Sequence, residues 1–164
     1  MASGNWLLPK YKFQPNGFSK PVRFIDKKFI VKLNHLEIIS NNYNIKSTVI
    51  NGSHFSDLSG FYEEVSRVLM KDADWKVGTL DGFDDILYGF QGEIVWKESE
   101  KSKQDLGLEA TKVFYENKIN QGKPFNIELI QQKLDDLIDG NGQTLFEILV
   151  EIIESHKNIN LILD

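Results

Sequence analysis

The sequence predicts an α/β domain built on three short parallel strands flanked by helices. Short apolar, partly β-branched runs at Lys46–Ile50, Glu93–Trp96 and Ile159–Leu163 have strand character. The stretches between them repeat apolar residues at helical spacing. Strands separated by long helical connections pair in parallel through right-handed crossovers.

Taken in order, residues 1–44 come first as a basic N-terminal extension. Pro9, Pro15 and Pro21 discourage regular structure there, while Trp6, Tyr11, Phe13 and Phe18 argue for packing rather than a dangling tail. Val22–Leu33 allows two short strands around Asp26-Lys27-Lys28. The domain proper is expected over 45–164. Its first strand, Lys46–Ile50, ends at the turn signal Asn51-Gly52. Phe61, Val65, Val68 and Leu69 then mark an amphipathic helix from about Leu58 to Met70. An acidic stretch leads to the Glu93–Trp96 strand, and the polar run Lys97–Asp105 reads as a charged loop or frayed helix.

Residues 105–143 read as a helical insertion. Gly107–Ile119 forms its first helix, with Ala110, Val113 and Phe114 on one side, and Gly122-Lys123-Pro124 breaks it. Asn126 can cap a second helix whose stripe is Ile127, Ile130, Leu134, Leu137 and Ile138, ending at Gly140. Thr144 and Glu147 then make a capping box at the head of a helix reaching about Lys157. That helix is apolar on more than one side and carries Glu147, Glu151 and Glu154 on the remaining face. It is expected between two layers with an acidic ridge outside.

Composition narrows the function. With 164 residues the chain is long enough for one domain with a sizeable core. It has no cysteine, which excludes disulfides, zinc–thiolate sites and thiol catalysis. No leader-like apolar run and no stretch of membrane-span length is visible, so a cytoplasmic protein without a membrane partner is expected. Residues 1–44 hold seven Lys/Arg against two Asp/Glu and carry +5, whereas 45–164 hold twelve against twenty-two and carry −10. A body that acidic is a poor direct ligand for nucleic acid and a good one for a basic protein.

Familiar catalytic patterns are missing. His35, His54 and His156 are scattered, and no metalloprotease, nucleophile-elbow, P-loop or dinucleotide spacing appears. The stretch Trp75–Glu93 holds the chemistry instead. Asp81, Asp84 and Asp85 are expected on one helical face, with Tyr88 a turn further on and Phe90 just beyond. Thr79 is the natural N-cap, and a helix N-terminus tolerates such acids best. A divalent cation or an acid/base pair is conceivable for these aspartates, but one helix seldom completes such a site. Neither a metal nor a cofactor is expected. Aromatics beside acids, with Trp75, Tyr88 and Phe90 the examples here, match the composition of an interface centre.

Three pieces of the chain resemble barstar, the intracellular inhibitor of a secreted ribonuclease. They are Thr48–Gly52 with the helix that follows, Leu80–Gly89 continued by Ile94–Gln104, and Leu145–Leu163. The second carries the skeleton Leu80-Asp81-x-x-x-Asp85-x-x-x-Gly89. The resemblance implies a barstar-like three-stranded parallel sheet and a non-enzymatic protein that plugs a basic nuclease active site, with carboxylates in place of RNA phosphates. It places Asp85 at the principal contact and Asp81 one turn earlier. Glu151 becomes the supporting acid from the last helix, with Trp75 and Phe90 at interfacial aromatic positions. Asp84 and Tyr88 stand where the family has a tryptophan and a threonine. The implied role is an immunity protein against a ribonuclease toxin. The alternative is a barstar-fold interaction domain whose partner is not a nuclease.

Overall fold

The computed structural model describes residues 46–71 and 73–164, and the expected extension 1–44, with its Val22–Leu33 strands, lies outside the described residues. The fold is α/β, a three-stranded parallel sheet in the order β1-β2-β3 with six α-helices among the described residues. The strands are β1 (Lys46–Asn51), β2 (Gly92–Lys97) and β3 (Ile159–Leu163). Helices α1 (Leu58–Leu69) and α2 (Leu80–Leu87) connect β1 to β2. Helices α3 (Ser99–Asp105), α4 (Leu108–Gln121), α5 (Ile127–Ile138) and α6 (Leu145–Ser155) connect β2 to β3. The register aligns Thr48 with Ile94 and Leu161, and Ile50 with Trp96 and Leu163.

Strands that follow chain order, joined by crossovers of one hand, carry both connections on the same face of the sheet. The burial pattern agrees. Thr48, Ile50, Ile94 and Trp96 are buried, while Val49 and Ile162, which alternate with them, are exposed. Trp96 is the hub of the covered face. Its ring stacks on Phe61 at 5.2 Å, tilts against Phe146 at 5.2 Å, and donates its Nε1–H to Ser102 Oγ at 2.9 Å. Phe61 in turn meets Phe83 edge-on at 5.1 Å, which fixes α2 against α1.

Most boundaries agree with the pattern in the sequence. Over Lys97–Asp105, where the sequence allows a charged loop or a frayed helix, the structure has the helical form, the ordered α3. Glu98 precedes it at φ 53°, and its carbonyl accepts from both Ser102 N–H and Ser102 Oγ. Gly92 opens β2 at φ 136°, where a Cβ would collide with the Lys46 carbonyl. That position requires glycine.

Residues 108–138 form a helical hairpin with a small core of its own, Tyr115, Ile130, Leu134 and Leu137. Thr111 fastens it to α6. Its Oγ1 accepts from Leu145 N–H at 2.8 Å and donates to the Gly107 carbonyl at 2.7 Å.

Candidate functional site

Helix α2 begins as expected. Thr79 is extended and its Oγ1 accepts from Gly82 N–H at 3.0 Å. Phe83 and Leu87, four apart, bury completely in the core with Ile86 packed at its edge, which leaves Asp81 and Asp85 on the exposed side of the helix. The loop before the helix is pinned where Val77, itself buried, donates its N–H to Ser66 Oγ at 2.9 Å. Trp75 stands just before that anchor and is 54% exposed.

The three aspartates divide. Asp85 is exposed and has no ion pair or hydrogen-bond partner among the described residues. Asp81 is also exposed, but it lies on the side facing α4, close enough to Lys118 and Tyr62 to act on both electrostatically. Asp84 turns the other way and pairs its Oδ1 with His156 Nε2 at 2.8 Å. The His156 ring also meets Tyr88 edge-on, centroids 4.8 Å apart. Asp84 therefore ties α2 to the end of α6, and its carboxylate is engaged within the molecule. Tyr88 remains 74% exposed beside this pair.

Phe90 departs from its expected place. Only 6% of it is exposed, and it belongs to the main core with Leu87 and Ile94. The turn after α2 closes with Phe90 N–H on the Leu87 carbonyl at 3.0 Å, and the ring faces inward beneath Lys46 Nζ at 5.1 Å. Phe90 is a structural residue in this conformation, and the exposed aromatics of the site are Trp75 and Tyr88.

Glu151 is exposed on α6 and accepts from Gln143 Nε2 at 2.6 Å. It shares a cavity lining with Leu80 at the head of α2, so the acidic ridge adjoins the N-terminal end of that helix. Glu147 is occupied by the capping box, its carboxylate accepting from Thr144 N–H at 2.8 Å and Thr144 Oγ1 at 2.9 Å. Two participants were not signalled as site residues by the sequence. His156 follows a helix end with no motif around it, and Lys118 sits on a helix of weak amphipathic pattern.

Among the described residues, no group of three or more His, Asp or Glu side chains is placed to hold a metal ion. Among the same residues, no helix is long and apolar enough to cross a membrane. No protein-family model matches the chain, and no curated protein matches its sequence significantly.

Proposed function

We propose that this protein is a non-enzymatic inhibitor of a ribonuclease, an immunity protein of the barstar kind that blocks a toxin nuclease in the cytoplasm. The observation that carries the reading is Asp85. It is an unpaired carboxylate on the outer face of a capped, core-anchored helix, with the exposed aromatics Trp75 and Tyr88 alongside in the sequence. A nuclease must hold RNA phosphates with fixed cationic groups, and a carboxylate presented from a rigid helix can occupy the same groups. Trp75 and Tyr88 supply contact area that orders at little entropic cost. Asp81 reinforces the negative potential at the head of the helix. Asp84 acts from behind, holding α2 on α6 through His156.

The decisive experiment measures ribonuclease inhibition by the wild-type protein and by Asp85→Ala. A loss of about tenfold or more in affinity, with unchanged thermal stability, is expected. Equal inhibition by the variant removes the proposal. A second reading, a barstar-fold module for a non-nuclease partner, draws on the inward Phe90 and the engaged Asp84, which reduce the contact surface relative to the family pattern. A co-purified partner that retains full nuclease activity when bound, or has none, decides for that reading.

A further inference from the structure

An all-parallel sheet is ordinarily covered on both faces. Here both crossovers lie on one face, and the described helices leave the other open. Alternation along each strand assigns the residues of that open face, opposite buried Thr48, Ile50, Ile94 and Trp96.

The register arranges them in three rows. The middle row is apolar, with Val49 beside Val95 and Val95 beside Ile162. Val49 is 41% exposed, Ile162 39%, and Val95 is half-buried. One flanking row holds Ser47, Glu93 and Asn160, where Ser47 Oγ and Asn160 Nδ2 each donate to the Glu93 carboxylate at 3.4 Å. These contacts lay the carboxylate across its row. The other flanking row holds Asn51 and Lys97.

The central strand β2 therefore presents an acid, an apolar residue and a base in Glu93, Val95 and Lys97. Neither charge has an ion-pair partner among the described residues. Such an order complements its own image. A two-fold axis between two of these faces, perpendicular to the strands, sets Val95 on Val95 of a second copy. It also sets each Glu93 opposite Lys97 of the other copy, so the ion pair forms twice. A partner of one charge sign would gain at one end of β2 and lose at the other. Stacked sheets lie about 10 Å apart with strands nearly aligned, which lets the two apolar rows interdigitate. Three strands of five or six residues span about 14 by 20 Å, or about 300 Å² per copy, against about 800 Å² in a standard stable complex. The resulting dimer is weak. Asp85 lies on α2, which packs on the covered face, so the dimer leaves it free.

We propose that the open face of the sheet is a self-association surface, forming a weak two-fold dimer through Val49, Val95 and Ile162 with Glu93–Lys97 pairs at its ends. The test follows the full-length protein from tens of micromolar to millimolar concentration by sedimentation and NMR. Self-association with a Kd of about 0.1–1 mM is expected, weakening as salt rises. Mixed samples of isotope-labelled and unlabelled protein should show intermolecular NOEs at the Val95 and Ile162 methyls. Glu93→Lys and Lys97→Glu should each weaken association about tenfold, and the double reversal should restore it. The single reversals move net charge in opposite directions, so general repulsion would instead strengthen one dimer and weaken the other. A monomer at every concentration, intermolecular NOEs confined to other residues, opposite effects of the two reversals, or failure of the double reversal to restore association would each overturn the proposal. In a monomer, Val95 methyls shielded from a soluble paramagnetic probe would assign the cover to another part of the chain. The NOE measurement uses the unaltered protein and decides the matter even where a variant unfolds. Inhibition through Asp85 is measured separately, so failure of either claim leaves the other standing.

Discussion

At the scale of single residues, neighbours in the acidic stretch have different tasks, and substitutions should separate them. Phe90 lies in the core, so Phe90→Ala should cost about 3–5 kcal/mol of stability in denaturant titration. Trp75→Ala, at a 54% exposed position, should leave stability within about 0.5 kcal/mol and weaken only partner binding. Similar stability losses in the two variants would contradict this division. Sequence alone could not make it. Trp75 and Phe90 are both aromatics beside acids, and what separates them is a turn that closes on Leu87 and swings Phe90 inward. Likewise, helical spacing put Asp84 with Asp81 and Asp85, but the spacing does not reveal that His156, seventy-two residues away, takes its carboxylate. Thr79 was legible because capping is a local rule, satisfied within three residues.

At the scale of elements, local signals predicted well wherever they were strong. The Thr144–Glu147 capping box and the Phe61–Val65 spacing each gave a helix that the structure contains. Helix α3 was legible only as a charged loop or frayed helix because its buried residues are serines, and Ser102 is held there by hydrogen bonds with Trp96 Nε1 and the Glu98 carbonyl. The end of α6 came early, at Ser155, where His156 leaves the helix to meet Asp84. The tie between α1 and β1 is similarly non-local. Glu64 is nearly buried and accepts from Asn51 N–H at 3.0 Å, Arg67 Nη2 at 2.7 Å and Arg67 Nε at 2.9 Å, with His54 Nδ1 at 3.1 Å. Burial pushes its carboxyl up, but these partners together outweigh burial and hold it below its ordinary value. A carboxyl whose folded pKa is depressed adds stability above its unfolded pKa, about 4.3 for glutamate, and loses it as pH falls through the folded value. Stability should therefore decline on acidification below that pH. Glu64→Gln should be less stable by about 2 kcal/mol at neutral pH and show a shallower acid limb. An acid limb of unchanged slope in the variant would assign the effect to other carboxylates.

At the scale of the whole molecule, charge is the property that links fold to proposed action. The body from 45 to 164 carries −10, and its exposed acids include Asp81 and Asp85 on α2 and Glu151 and Glu154 on α6. Such a field would draw the proposed basic nuclease in from beyond contact distance, and salt screens it over about 8 Å at physiological ionic strength. The two kinds of acid should then differ in kinetics. Glu154 is exposed and its side chain forms no ion pair among the described residues, so Glu154→Gln removes field alone and should slow association at low salt while leaving dissociation nearly unchanged. Asp85→Ala removes a contact, so it should chiefly speed dissociation. Stopped-flow association across a salt series, paired with dissociation by competition, measures both. The wild-type on-rate should fall steeply with salt, and the Glu154→Gln rate should converge on it as screening becomes complete. A salt-independent on-rate would mean that the acidic body does not steer the encounter, leaving α2 to act through contact alone.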